Sequence, residues 1–260
     1  MNTSKLSRAA VLGAVMLAAL SLEIAAPADA ATRTCFGVTP TKTGTAGNDV
    51  IQGTSGNDVI MGLGGSDTIY GKGGNDLICG DDGLGSGGTS GGQDKLYGGL
   101  GDDSVRGDFG SDLMVSGGPG MDMLEGDGGN DVMDGGGEKN AAGADTDFDK
   151  DFMAGANGND TMYGRGGDDE MDGNAGSNKL YGHEGEDQLV AGGTAAAEVQ
   201  IIEGGPGNDS IIGGPGPDQL TGGTEDDGVL GAGGNDTITG GDGFDNLSGD
   251  AGVHGGTWRG

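Results

Sequence analysis

Gly47-Asn48-Asp49-Val50-Ile51, Gly56-Asn57-Asp58-Val59-Ile60 and Gly65-Ser66-Asp67-Thr68-Ile69 follow one another at a fixed spacing of nine residues. Carried outward, the aspartate register runs through Asp49, Asp58, Asp67, Asp76, Asp94, Asp103, Asp112, Asp122, Asp131, Asp151, Asp160, Asp169, Asn178, Asp187, Gln200, Asp209, Asp218, Asp227, Asp236 and Asp245, so eighteen of twenty positions are aspartate. Two residues after each stands Ile51, Ile60, Ile69, Ile78, Leu96, Val105, Met114, Leu124, Met133, Met153, Met162, Met171, Leu180, Leu189, Ile202, Ile211, Leu220, Val229, Ile238 or Leu247, all apolar in a chain that is 32 % hydrophobic. A short fixed period is the mark of a solenoid, in which each unit packs only on its neighbours. The register breaks near 81–92, slips by one residue near Ser116, and breaks again near 135–150 and 191–199. The same repeat resumes after each, so these are loops within one roll spanning residues 45–249.

One apolar residue per nine cannot make an amphipathic helix, whose 3.6-residue period needs several. It suits a short strand and a tight turn. Strand side chains alternate between faces, so the lone apolar residue points inward while its neighbours point outward. Glycine supplies the positive φ angles and close backbone approach that the turn requires. Two units then close one coil of eighteen residues. Turns nine apart fall on opposite edges and turns eighteen apart stack, which places Asp49 near Asp67, Asp58 near Asp76, Asp151 near Asp169, Asp209 near Asp227 and Asp218 near Asp236. The fold class is all-β, a parallel β-roll or β-solenoid with two repeats per coil.

Composition restricts the partners. Forty-two acidic against twelve basic residues leave a formal charge of −30, which repels nucleic acid and anionic membrane surfaces and attracts cations. Carboxylates stacked a strand spacing apart repel one another unless positive charge lies between them. Calcium fits best, since it takes about six to eight hard oxygen ligands in flexible geometry, whereas magnesium demands a stricter octahedron and zinc prefers nitrogen or sulfur. The core is one thin column of side chains, five of them adaptable methionines, and leaves little margin for folding without a bound ion. The expected cofactor is therefore Ca2+, several ions per chain, with folding coupled to binding.

The repeats resemble the RTX, or haemolysin-type, calcium-binding family, whose pattern is Gly-Gly-x-Gly-x-Asp-x-(large apolar)-x. The resemblance implies a right-handed parallel β-roll in which each aspartate carboxylate of the register, together with glycine carbonyls, holds calcium. Asn178 and Gln200 lack the carboxylate, and Asp149 and Glu225 replace the turn glycine before Asp151 and Asp227. Members of the family that leave by one-step export carry a carboxy-terminal signal. This chain instead opens with Lys5 and Arg8, an apolar run from Ala9 to Leu20 and a small-residue Ala28-Asp29-Ala30 site, read as a secretory signal peptide over residues 1–30. The run is too short to span a bilayer. A secreted, extracellular location follows, and Cys35 and Cys79 are expected to pair there as a disulfide. Free or metal-bound thiols are the competing readings, though two cysteines without nearby histidines cannot complete a zinc tetrahedron.

Residues 31–44 and 250–260 are expected to cap the roll ends. Other motifs dissolve on inspection. Asp145-x-Asp147-x-Asp149 opens like an EF-hand loop, but Lys150 and Ala156 stand where its glycine and glutamate belong. Gly83-x-Gly85-x-x-Gly88 is followed by no helix pattern, and Gly88-Thr89-Ser90-Gly91-Gly92 lies in no α/β sheet. His183 and His254 are the only histidines and are expected at the surface. No catalytic site is expected, because too few residues lie outside the repeats to build an enzyme domain. Two other roles fit the same repeats: a calcium-stiffened cell-surface adhesin or spacer meeting an unidentified surface or matrix partner, and, less well, an accessory module of an enzyme.

Overall fold

The computed structural model describes residues 33–82, 91–115, 120–136, 148–193, 195–249 and 257–259. The signal peptide read over residues 1–30, the slip near Ser116, the centres of the first two interruptions, His254 and most of the carboxy-terminal cap lie outside them. Twenty-two strands, from Lys42–Thr43 to Thr257–Arg259, alternate between two eleven-stranded sheets. Every strand pair is parallel, and no helix occurs among the described residues. Successive strands belong to opposite sheets and every second strand pairs, as a roll with two repeats per coil demands.

Ile51 pairs with Ile69, Met153 with Met171 and Ile211 with Val229, each at the period of two repeats. Where the repeat is interrupted, pairing skips the extra residues. The separation between stacked aspartates widens from 18 to 27, 19, 29 and 22 residues while the register is kept. Loops project at turns because the parallel ladder rewards only in-register pairing, and each added residue increases closure entropy slowly.

Eighteen of the twenty inward residues are buried in one continuous column, with Ile51 and Leu247 partly buried at its ends. The alternation is visible within single strands: Met171 is buried between exposed Glu170 and Asp172. Several strands run to six residues, such as Thr161–Gly166 and Lys179–Glu184, longer than the three-residue strand expected from the unit. His183 lies in the latter strand, half-buried, its ring 6.2 Å from that of Tyr163, rather than free on the surface.

The ends show how the roll is closed. Pairing begins before residue 45: Lys42 stands opposite Ile60, in an inward register position. Its Nζ donates to Asp58 Oδ1 at 2.7 Å. At the other end Trp258 pairs in register with Ile238, so the segment 257–259 adds a last strand. A second small core of Cys35, Met61 and Cys79, flanked by Phe36, Val59, Leu63 and Leu77, lies outside the main column. Val59 and Met61 flank the inward Ile60, and Leu77 and Cys79 the inward Ile78, so these four face outward, where the Cys35–Val38 bridge covers them. Cys35 and Cys79 form a disulfide with Cα atoms 5.7 Å apart.

Candidate metal centre

Each register residue stands just before a strand, where its main-chain N–H points toward the next coil. In one row the N–H of Asp49, Asp67, Asp94, Asp112, Asp131, Asp160, Asn178, Gln200 and Asp218 donates in turn to the side-chain oxygen of the following member, ending at Asp236. The opposite row links Asp58, Asp76, Asp103, Asp122, Asp151, Asp169, Asp187, Asp209, Asp227 and Asp245 in the same way. The distances run from 2.7 Å between Asp76 and Asp103 to 3.2 Å between Asp227 and Asp245. All twenty predicted positions are thus brought into two rows, and all except Asp49 and Asp245 are buried. The bond explains why a short oxygen-bearing side chain recurs there, since a buried N–H without an acceptor is destabilising.

One oxygen of each carboxylate is used in this way. The second, Oδ2 of Asp67, Asp76, Asp94, Asp103, Asp112, Asp131, Asp160, Asp187, Asp209 and Asp227, is buried and accepts no hydrogen bond. It turns instead into a recess left by glycine. A Cβ on Gly62 would overlap both Asp67 Oδ2 and the Gly80 carbonyl oxygen, one on Gly71 both Asp76 Oδ2 and the Gly98 carbonyl, and one on Gly182 both Asp187 Oδ2 and the Gly204 carbonyl. Each recess therefore sets a carboxylate oxygen and a main-chain carbonyl oxygen on one small space with no proton donor between them.

The electrostatics follow from that arrangement. Burial pushes the carboxyls of Asp112 and Asp187 up to about 8, with further repulsion from Asp94 and Asp131 around the first and Asp169 and Asp209 around the second. Burial likewise raises Asp103 and Asp131 to about 7, and Asp94, Asp160 and Asp209 to about 6. In each case the donated backbone N–H opposes the rise without cancelling it. Desolvated like charges a strand apart disfavour ionisation.

The exceptions show what the recess needs. Asn178 Nδ2 donates to the Ala191 carbonyl at 3.3 Å, and Gln200 Nε2 to the Gly176 carbonyl at 2.9 Å. In Asn178 the amide supplies the missing proton donor, since a Cβ on Gly173 would meet both Nδ2 and the Ala191 carbonyl, whereas Gln200 bonds to a carbonyl of the preceding coil. Asp49, Asp58 and Asp218 instead receive on Oδ2 the N–H of Thr45, Thr54 and Gly214. For Asp58 these bonds and Lys42 outweigh burial and hold its carboxyl below the ordinary value. Glu225 adopts φ 83° at the glycine position before Asp227, a left-handed conformation costing about 1–2 kcal/mol in a non-glycine residue, and Asp227 keeps the same unfilled Oδ2 as its neighbours. Asp149 does not take that conformation.

No three acidic, histidine or cysteine side chains converge on one point among the described residues, so a metal here draws on carbonyls as well as carboxylates. All-oxygen donor sets with net negative charge suit calcium. Two buried aspartates outside the register, Asp81 and Asp108, were missed by following the nine-residue spacing. Both stand directly after a turn glycine, where the repeat pattern has a second glycine, and that departure was their one visible signal.

A parallel β-solenoid whose glycine turns carry paired rows of buried carboxylates is a calcium-binding repeat protein in design. The model of the RTX calcium-binding nonapeptide repeat matches residues 43–78, 89–114, 116–140, 145–180, 163–194, 200–229 and 230–253, and the chain belongs to that family. Comparison with curated proteins finds no match.

Proposed function

We propose that this chain is an exported protein that folds on binding several Ca2+ ions at the stacked turns, with the eighteen register aspartates as the side-chain ligands. The reading rests on one observation above all, the buried Oδ2 atoms that share a recess with a carbonyl oxygen and no donor. Bound calcium would supply the positive charge that both oxygens lack. The side chains do the rest: Oδ1 fixes each carboxylate to the preceding coil through a backbone N–H, and glycine leaves the opening. Asn178 and Gln200 fall outside the ligand set, and Asp49, Asp58 and Asp218 form weaker sites because a protein donor already occupies Oδ2.

Stabilisation by an ion bound only to the folded form is about 1.4 kcal/mol per site at tenfold excess over Kd, and it accumulates along the rows. Extracellular calcium at millimolar concentration suffices for modules of this kind. The disulfide supports an oxidising compartment. No described helix is long and apolar enough to cross a membrane. The test is circular dichroism in excess chelator, followed by calcium titration in a calorimeter. A strand signal that appears with calcium, together with multiple bound ions, is expected. Full strand content in chelator would refute coupled folding, and absence of heat would refute calcium binding.

A further inference from the structure

The register Cys79↔Arg106↔Glu125 sets Asp81, Asp108 and Asp127, each two residues further on, at the same turn position of three successive coils. The neighbouring members of this row, Leu63, Ala156 and Asn174, are uncharged, so these three coils carry an added run of acid. Asp108 and Asp127 are held there with φ of 68° and 64°, and Leu63, Ala156 and Asn174 with 87°, 68° and 58°, so the left-handed turn belongs to the row and not to the charge.

Asp81 is 4 % exposed and neither of its carboxylate oxygens accepts a hydrogen bond of good geometry, although the Phe109 N–H acts on it; Asp108 is also 4 % exposed and its Oδ2 accepts none. Asp81 lies against Asp94 and Asp108, whose charges act directly on it. Asp94 and Asp112, the register aspartates of these turns, are 1 % and 2 % exposed and each has a further Oδ2 without a donor. Four buried carboxylates thus present five unfilled oxygens. Arg106 pairs with Glu125, lies 3.4 Å from Asp127 and also acts on Asp108, whereas Arg33 lies 3.4 Å from Asp82. A buried carboxylate without a counter-charge is strongly destabilising, and the charges that act on Asp81 are all acidic.

We propose that Asp81 and Asp108 create an additional divalent-cation site, taking Ca2+ and lying beside the repeating turn sites. It rests on the calcium-binding reading of the repeats, since Asp94 and Asp112 border it. Asp127, whose side chain is 49 % exposed and lies 3.4 Å from Arg106, lies outside the site. The experiment is equilibrium dialysis of the full chain against Ca2+, with bound metal counted by atomic absorption, for the wild type, Asp81→Asn/Asp108→Asn and Asp127→Asn. The double variant is expected to bind one ion fewer per chain, and Asp127→Asn the wild-type number. In chelator the double variant should melt at a higher temperature than wild type, because two buried charges have gone. An unchanged count in the double variant, an equal loss in Asp127→Asn, or a double variant that melts lower or does not fold overturns the proposal. A wild type that binds no calcium would instead sink the reading of the repeats themselves.

Discussion

Asn178 Nδ2 donates to the carbonyl of Ala191 in the recess that corresponds, one coil earlier, to Asp160 Oδ2 and the carbonyl of Gly173. One row position is therefore neutral and self-satisfied while its neighbour sets two acceptors together. Replacing Asn178 with Asp removes the donor and adds a buried charge. The metal-free protein is expected to lose about 1–3 kcal/mol, the range for stranding a buried polar group, and the calcium-loaded protein to take up one more ion. Melting in chelator and calorimetric titration check the two halves; a variant as stable as wild type without metal would contradict the role given to the recess.

The raised carboxyls predict an unusual pH dependence. Asp112 and Asp187 move from an ordinary 3.8 to about 8, and Asp103 and Asp131 to about 7. The folded state holds these protons where the unfolded chain has released them, so stability falls as pH rises. Without calcium the roll should be most stable near pH 4, weaken steadily to about pH 8, and change little beyond. Protons and calcium compete for the same oxygens, so calcium affinity should rise over that interval. Urea titrations in chelator at pH 5 and pH 8 test the first statement, and stability that increases with pH would contradict it.

Gly71 and Gly47 separate steric need from mere glycine content. A Cβ on Gly71 would overlap Asp76 Oδ2 and the Gly98 carbonyl, whereas one on Gly47 meets nothing within 4 Å, and neither glycine has positive φ. Gly71→Ala is expected to destabilise by about 1–3 kcal/mol as an overpacking substitution and to weaken calcium uptake at Asp76. Gly47→Ala should be neutral or stabilise by up to about 1 kcal/mol through the unfolded chain. Equal melting temperatures for the two variants would show that the recess tolerates a methyl group.

Reduction of the Cys35–Cys79 bond opens a loop with a sequence separation of 44 and should cost about 2–4 kcal/mol. The loss should fall on the first coils, because that disulfide holds the segment covering Met61 and Leu77. Limited proteolysis with and without reductant, mapped by mass spectrometry, checks this. Cleavage that stays unchanged before residue 82 would count against a clamp.

All twenty inward positions were legible because burial in a strand obeys a two-residue alternation, and one apolar residue per nine leaves a single way to hide it. The aspartate rows were legible for the same reason. Lys42 was not, since a lysine in an inward register position is sensible only once its Nζ is seen on Asp58 Oδ1. Pro40, one coil before Asp58, has no N–H to donate, and Lys42 takes over that bond. Asp81 and Asp108 were hidden because they break the pattern and become neighbours only when a looped-out segment lets distant coils stack.

The sequence by itself determined the period, the column of inward side chains, the two acidic edges and the sign of the charge they carry, because each follows from local alternation and spacing. Only the tertiary structure decided that Oδ1 of each aspartate is committed to a backbone N–H while Oδ2 faces a carbonyl across a glycine recess. It also decided that Asn178 needs no cation there. Those distinctions depend on which atoms of coils 18 to 29 residues apart come within bonding distance, and such contacts exist only after the coils have stacked.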